Sequence, residues 1–261
     1  AASGHDFSGY APTSRARRIA ALIASERVAG IAGLRRRLAE DPSAAARAVA
    51  ALSVPATTMF RDPAVFRALR ERVLPQLASF PIIRCWLAGC ATGEEAWSLA
   101  IILHELGLAE RSRLYATDLN PAAVAAAQAG AVPLAAMRDA TRSYHAAAGT
   151  ADFSSYYRVV GGTARFDAAL ARHIVCARHD LAGDASFNEF HLILCRNVLI
   201  YFGAALQAHV HRLLHGSLAH GGVLCLGATE SLFGTPCADA YTAIDDRLRL
   251  YRKHHVSEVA P

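Results

Sequence analysis

The chain has 261 residues, of which 53% are hydrophobic and 19% charged, and its formal net charge is +5. That length accommodates one large domain, or a main domain with a small companion. No apolar run reaches the ~18 residues of a membrane span and the N-terminus lacks a signal-peptide core, so a cytoplasmic protein with no membrane-inserted segment is expected. Six scattered cysteines form no CxxC pair, and are expected to be free thiols in a reducing compartment. His209, His211 and His215 do not set three ligands on one helical face, so no metal site is expected. Lys253 is the only lysine, and residues 1–80 hold twelve Arg against six acids. A basic N-terminal region beside a near-neutral remainder points to an acidic partner for the N-terminal part.

From residue 14 to about 52, Ile19, Leu22 and Ile23 recur at helical spacing beside Arg15 and Arg18, which predicts short helices. Asp41-Pro42 and Asp62-Pro63 both read as helix starts with Pro at the first helical position, the second opening a helix over 63–78. Pro75 and Pro81 punctuate the next stretch. A boundary near 70–80 would leave an N-terminal helical domain over 1–75 and a main domain over 76–261.

Beyond Pro81, strand and helix alternate. Strands are predicted over 82–88, 113–117, 174–177, 191–195, 223–227 (after a Gly221-Gly222 turn) and 248–252, and helices over 94–106, 121–129 and 204–218. This rhythm predicts an α/β fold with a doubly wound, Rossmann-like, mostly parallel sheet. It breaks between about 140 and 173, where no long apolar helix is expected. There Tyr156 to Phe166, with Gly161-Gly162 at its centre, reads as a hairpin within a small antiparallel β insertion over about 150–175.

Three constellations carry chemistry. The first strand feeds a small-residue turn, Ala88-Gly-Cys-Ala-Thr-Gly93, and then a helix opened by Glu94 and Glu95. Such a strand–turn–helix unit is a nucleotide-type site. The Glu pair would repel a phosphate and suits hydroxyls or a positive charge, such as the sulfonium of S-adenosylmethionine. Asp118 ends the second strand, where an acid hydrogen-bonds a ribose hydroxyl; its plainer reading is a cap on the helix at Pro121. In Thr57-Thr-Met-Phe60-Arg61-Asp62, Arg61 sits at a helix N-terminus, where the dipole disfavours a cation. In Cys195-Arg196-Asn197-Val-Leu-Ile-Tyr201-Phe202, a strand ends at the ligand-binding edge of the sheet. Asn197 there can both donate and accept, and Tyr201 offers a hydroxyl.

In this order the motifs resemble the chemotaxis receptor glutamate O-methyltransferases, the CheR-type methyltransferases. The likeness rests on Thr57-x-x-Phe60-Arg61-Asp62, Ala88–Glu95, Ala116-Thr-Asp118, Ala177-Arg-His-Asp180-Leu181, Cys195–Phe202 and Gly221-Gly with Gly227-Ala-Thr-Glu230-Ser. It spans roughly residues 6–252. It implies S-adenosylmethionine as cofactor and S-adenosylhomocysteine as product, with methyl transfer to glutamate carboxylates of a chemoreceptor. Carried over by position, Thr57, Arg61, Ala88, Gly89, Glu94 or Glu95, Asp118, Asp180, Leu181, Arg196 and Asn197 would line the cofactor site. Arg61 and Tyr201 would face the reacting carboxylate. The hairpin would correspond to a subdomain that in some members docks a receptor tail by strand addition. Arg15, Arg17 and Arg18 would steer Glu-rich receptor helices by long-range attraction. Pro55, Met59, Ala96-Trp97 and Asp180 depart from the family pattern, which bears on cofactor affinity.

Two other classes were weighed. A nucleic-acid methyltransferase would suit the basic N-terminal region, but base methylation at an amino group goes with a Pro-Pro-aromatic motif where this chain has Arg196-Asn197-Val198-Leu199, so no nucleic-acid partner is expected. A non-catalytic module that binds S-adenosylmethionine, or an enzyme for another acidic protein, remains as the alternative function.

Overall fold

A computed structural model describes residues 5–53 and 56–254, so Pro55 lies outside the described residues. Three helices come first: α1 (Pro12–Ser25), α2 (Gly30–Glu40) and α3 (Pro42–Leu52). Each has a narrow apolar stripe, and the three close over Leu22, Leu34 and Ala48, ringed by Ile19, Ile23, Val28 and Leu38. Asp41 caps α3, accepting the Ser43 N–H at 2.9 Å. Its bonds to Ser43 hold the carboxyl down at about 2.

The Asp62-Pro63 start behaves differently. Helix α4 (Pro63–Ala68) begins there, but Asp62 takes φ +55° and makes no cap bond. The predicted helix over 63–78 is also interrupted, because one π turn (Leu69–Val73) separates α4 from α5 (Leu74–Leu77). Pro75 supplies the reason: it has no N–H to donate, and its ring would meet the Glu71 carbonyl one turn back.

The sheet is built from β1 (Ile83–Ala88), β2 (Ser112–Asp118), β6 (Ile174–Arg178), β7 (Phe190–Cys195), β8 (Leu218–Leu226), β9 (Tyr241–Asp245) and β10 (Leu250–Lys253). Its order is β6-β2-β1-β7-β8-β10-β9, parallel from β6 to β8 and antiparallel through β10 and β9. Helices α6 (Glu94–Glu105), α7 (Pro121–Ala129) and α10 (Ala204–Ser217) make the crossovers. Strand alternation divides the core. Cys85, Leu87, Leu192 and Leu194 join one cluster with Phe60, Phe66, Leu69, Leu74 and the face of α6. Trp86, Ala88, Ile193 and Cys195 join the other, with Val210 and Leu214 of α10. A central strand buried on both faces needs the continuous apolar run the sequence shows.

The hairpin forms as predicted: β4 (Tyr157–Val160) pairs β5 (Thr163–Phe166) around Gly161 and Gly162, both at positive φ as a tight hairpin turn requires. A third strand absent from the sequence reading, β3 (Ala131–Pro133), pairs with β5 and leaves β4 at the edge. Trp97 of α6 holds this small sheet to the body. Its ring stacks on Phe166 at 5.1 Å and its Nε1–H donates to the Ala127 carbonyl at 3.0 Å.

Several predictions of local structure need correction. Gly221-Gly222 is no turn ahead of a strand; it lies inside β8, where the register with β7 shifts between Leu218 and Val223. Strand β9 was not anticipated, because its exposed residues show no apolar alternation. Helix α8 (Met137–Ala146) occupies part of the stretch read as lacking one, burying Met137, Ala140 and Tyr144. Short α9 (Ala168–Ala171) follows β5. Among the described residues no helix is long and apolar enough to cross a membrane.

Candidate active site

In an open α/β sheet, ligands bind at the carboxyl ends of the strands where the order reverses. Here that point lies between β1 and β7. A cleft opens there, walled by the ends of β1, β2 and β7, the segment after β6, the segment before α4, and residues of α1 and α3. It gathers Thr57, Arg61, Ala88, Gly89, Glu95, Asp118, Asp180, Leu181, Arg196, Asn197 and Tyr201, drawn from five separate sequence motifs.

The turn after β1 is held by backbone. Gly89 and Cys90 both donate to the Thr117 carbonyl, at 2.8 and 2.9 Å. Gly89 has φ +75°, and a Cβ there would approach Val198 Cγ2 to 2.5 Å. Only glycine allows this turn to pack against the segment after β7. Asp118 reaches across to the turn, accepting the Ala91 N–H at 2.9 Å and the Asn120 N–H at 2.9 Å. The cap of α7 is Asn120, which accepts from Ala122 at 3.0 Å. Burial pushes the Asp118 carboxyl above its ordinary value, against the pull of its backbone donors.

Arg196 lines the cleft, and its guanidinium is paired within the protein. Its guanidinium donates to Glu95 Oε1 at 2.8 Å, to Asp62 Oδ2 at 2.5 Å and to the Arg61 carbonyl at 3.0 Å. It therefore locks the segment before α4 onto the start of α6, with only Nε left unpartnered. Burial raises the Glu95 carboxyl, and the Arg196 charge opposes that rise. Glu94 does not reach the cleft wall. It accepts from Thr92 Oγ1 at 2.6 Å, while burial lifts its carboxyl. Arg61, by contrast, donates only to the Ala56 carbonyl, at 3.0 Å, and forms no ion pair among the described residues. Phe60 and Asp62, on either side of it, are both left-handed, at φ +51° and +55°. Left-handed non-glycine residues cost about 1–3 kcal/mol each, so this presentation of Arg61 is stabilised from elsewhere. Phe60 is anchored by its aromatic contacts with Phe66, Tyr144 and Phe153 and by the Ser98 hydroxyl, which accepts its N–H at 2.8 Å. Met59, one of the departures, is buried beside Ser98.

One group has no role in the sequence reading, and another lies in different surroundings from those expected. Glu230, buried after β8, accepts the N–H groups of Gly227, Asn197, Val198, Leu199 and Ile200 at 2.6 to 3.3 Å. It fixes the turn that carries Asn197 and Tyr201. The signal was present in the quoted Gly227-Ala-Thr-Glu230 run, without a role attached. Arg18 was read as a solvent-facing, partner-steering residue; it is instead buried and lines the cleft beside Tyr201. Arg15 is half-buried, donating to the Ser8 carbonyl at 2.6 Å, while Arg17 is exposed. Asp180 sits at the cleft with one oxygen 3.1 Å from His5 Nδ1 and the other accepting the Ala182 N–H at 2.9 Å.

The cleft wall also holds buried polar atoms without partners, among them Thr57 Oγ1, Asn197 Oδ1 and His179 Nδ1. Buried polar groups are normally hydrogen-bonded, so these point to a polar ligand. Together with a half-exposed Asp118 at the end of β2, they fit a nucleoside with an amino-acid tail. Fold and cleft thus define a Rossmann-like protein that binds a nucleoside-type cofactor in the cleft at its switch point.

Comparison with known proteins names the group. Residues 55–245 match the family model described as the CheR methyltransferase, S-adenosylmethionine-binding domain. A candidate methyltransferase of Pseudomonas putida, Cher3, is 39% identical over 95% of this chain and 91% of its own. Chemotaxis protein methyltransferase 1 of Pseudomonas aeruginosa is 34% identical over 72% of this chain and 70% of its own. A chemotaxis protein methyltransferase of Listeria monocytogenes is 29% identical over 88% and 85%. The chain belongs to the CheR methyltransferase family, and its cofactor is S-adenosylmethionine.

Proposed function

We propose that this methyltransferase esterifies glutamate side chains of a chemoreceptor. The observation that carries this reading is that every carboxylate in the cleft is already engaged: Glu95 by Arg196, Asp118 by Ala91 and Asn120, Asp180 by Ala182 and His5. With its carboxylates so engaged, the cleft suits an acceptor that arrives as a competent nucleophile. A glutamate carboxylate, with an ordinary pKa of about 4.3, is ionised at neutral pH and needs no proton removed.

When bound, S-adenosylmethionine supplies an electrophilic methyl group. Asp118 would hold the ribose, with Thr57 and Asn197 offering their unpartnered oxygens to the amino-acid tail. Asp180 and Leu181 would flank the adenine. Arg61 and Tyr201, on the same cleft, would orient the acceptor carboxylate. Positioning of this kind can supply several kcal/mol of the barrier reduction without acid–base chemistry. A strong grip on the carboxylate would blunt its nucleophilicity, and Arg61, half-exposed and tethered through one carbonyl, makes a moderate one.

Two surfaces support a receptor as partner. Arg17, Arg27, Arg35, Arg36 and Arg37 are exposed on the helical region and would attract Glu-rich helices. The outer edge of β4, with Val159 and Val160 exposed, offers backbone groups for an added strand from a receptor tail. The test is incubation with labelled S-adenosylmethionine and receptor cytoplasmic fragments. Label released as methanol by mild base supports the reading. Label that is base-stable, or confined to another acidic protein, overturns it, and cofactor binding with no transfer to any acceptor favours a non-catalytic module.

A further inference from the structure

Phe233, in the turn after β8, is 94% exposed, the most exposed large apolar side chain among the described residues. A surface leucine or valine is ordinary, but a whole aromatic ring left in water forgoes the burial that such a ring normally gains. The turn that carries it is well tied. Its neighbour Leu232 is buried in the cluster that holds Leu199 and Phe202. The Phe233 N–H donates to Ser231 Oγ at 2.9 Å, and the Thr235 N–H donates to the Leu232 carbonyl at 3.0 Å. Gly234 closes this turn at φ +73°, a conformation that favours glycine. The ring is therefore held out from a turn anchored in the core.

Backbone bonds fix where this ring lies. Phe233 follows Glu230 by three residues, and the Glu230 carboxylate accepts the N–H groups of Leu199 at 2.7 Å and Ile200 at 3.3 Å. Ile200 is itself 40% exposed and precedes Tyr201 on the cleft wall. The turn after β8 thus abuts the turn after β7. In the sheet, β8 lies on the far side of β7 from β1 and β2, which carry the glycine turn and Asp118. No described residue of β8 or of the turn after it lines the cleft. Phe233 and Ile200 therefore flank the cleft on its Tyr201 side, away from Asp118. We propose that they form an apolar ledge that takes an apolar side chain of the acceptor protein, close in its sequence to the glutamate that is methylated.

This inference rests on the glutamate-ester reading above and narrows its substrate class. Arg61 and Tyr201 can hold any carboxylate, so choosing one glutamate in an acidic protein needs a contact outside the carboxylate. The ledge is continuous with the acceptor side of the cleft, and exposed aromatic rings are the usual anchors of protein recognition. The acceptor segment is thus acidic at the reacting residue and apolar beside it.

The test measures initial rates of base-labile methyl transfer to a receptor cytoplasmic fragment, using the full chain as wild type, Phe233→Ser and Phe233→Leu. Removing an exposed ring takes little from the core, so both variants should keep the wild-type thermal transition. Phe233→Ser should raise KM for the fragment by about five- to tenfold, the loss of a moderate interface anchor. Its kcat at saturation and its S-adenosylhomocysteine affinity by calorimetry should be unchanged, and Phe233→Leu, which keeps apolar area, should stay near wild type. The assay is repeated with fragments in which apolar residues within about four positions of the acceptor glutamate, one helical turn, are changed singly to Ser. One such change should raise KM for wild type and have no further effect on Phe233→Ser. A wild-type KM in Phe233→Ser, or a loss that simply adds to that of every fragment change, overturns the ledge and leaves the ester reading standing. Absence of base-labile transfer by the wild-type protein overturns the ester reading, and the ledge with it.

Discussion

The Glu230 carboxylate accepts the backbone N–H of Asn197 at 2.9 Å across 33 residues of chain, from the end of one parallel strand to the end of its neighbour. Asn197 is left-handed, at φ +59°, a conformation that needs external support in a non-glycine residue. A Cβ on Gly227 would come within 2.6 Å of Glu230 Oε2, so glycine is what lets this carboxylate fold back under the turn. One side chain therefore sets the geometry of both Asn197 and Tyr201.

Glu230→Ala would strip up to five backbone N–H groups of their acceptor. Each buried unsatisfied group costs about 1–3 kcal/mol, and relaxation with water entry would recover part. Destabilisation of about 3–5 kcal/mol is expected in chemical denaturation, with turnover lost before S-adenosylhomocysteine binding. Glu230→Gln, which keeps one acceptor oxygen, should fall between. Equal stability of Glu230→Ala and wild type would show that the turn holds itself.

Arg196→Ala should be strongly destabilising, because it leaves Glu95 buried without its cation. Removing one partner of a buried pair costs about 3–5 kcal/mol, whereas replacing both by apolar groups can be nearly neutral. The double variant Arg196→Met with Glu95→Leu is therefore expected to be more stable than Arg196→Ala in urea titrations. It should still lose activity, since the segment bearing Arg61 is no longer held through its carbonyl. If the double variant is the least stable of the set, the pair contributes more than charge compensation.

Arg61→Ala is expected to reduce kcat/KM by about 10- to 100-fold, the range of a lost charge-assisted hydrogen bond. S-adenosylhomocysteine affinity should change little, because Arg61 is assigned to the acceptor. Asp118→Ala should show the opposite pattern, weakening S-adenosylhomocysteine in calorimetry by tenfold or more. Reversed results for the two variants would exchange their roles.

The fold was legible because the parallel strands are short apolar runs bounded by turn residues. Helix α7 falls on its predicted bounds, and the Gly161-Gly162 hairpin forms where the sequence put it. Strand β9 escaped because an edge strand with one weakly buried face shows no period. At the cleft, sequence motifs named most of the wall and mistook some of the work. Arg196 was expected on the cofactor site, and its two carboxylate partners, more than 100 residues away in the chain, could not be revealed by spacing. Arg18 looked like one of a solvated arginine run. Only the packing of α1 against Tyr201 distinguishes it from exposed Arg17.

Buried histidines should make stability fall with mild acid, and His211 allows a clean test. It is 3% exposed on α10, its Nδ1 has no partner, and burial holds its pKa below the ordinary histidine value. The unfolded chain takes up this proton near the ordinary value of about 6.5, the folded chain only at lower pH. Between the two the unfolded state binds more protons, so this histidine's contribution is complete above about pH 7 and declines as pH falls. Glu94, Glu95 and Asp118 act in the opposite sense, since burial raises their folded values and acid therefore favours the folded state. The net curve mixes both, and the comparison that isolates His211 is the slope of unfolding free energy against pH in His211→Leu and in wild type. His211→Leu should lose less stability than wild type on going from pH 7 to 5, and parallel curves would mean that His211 takes up its proton equally in both states.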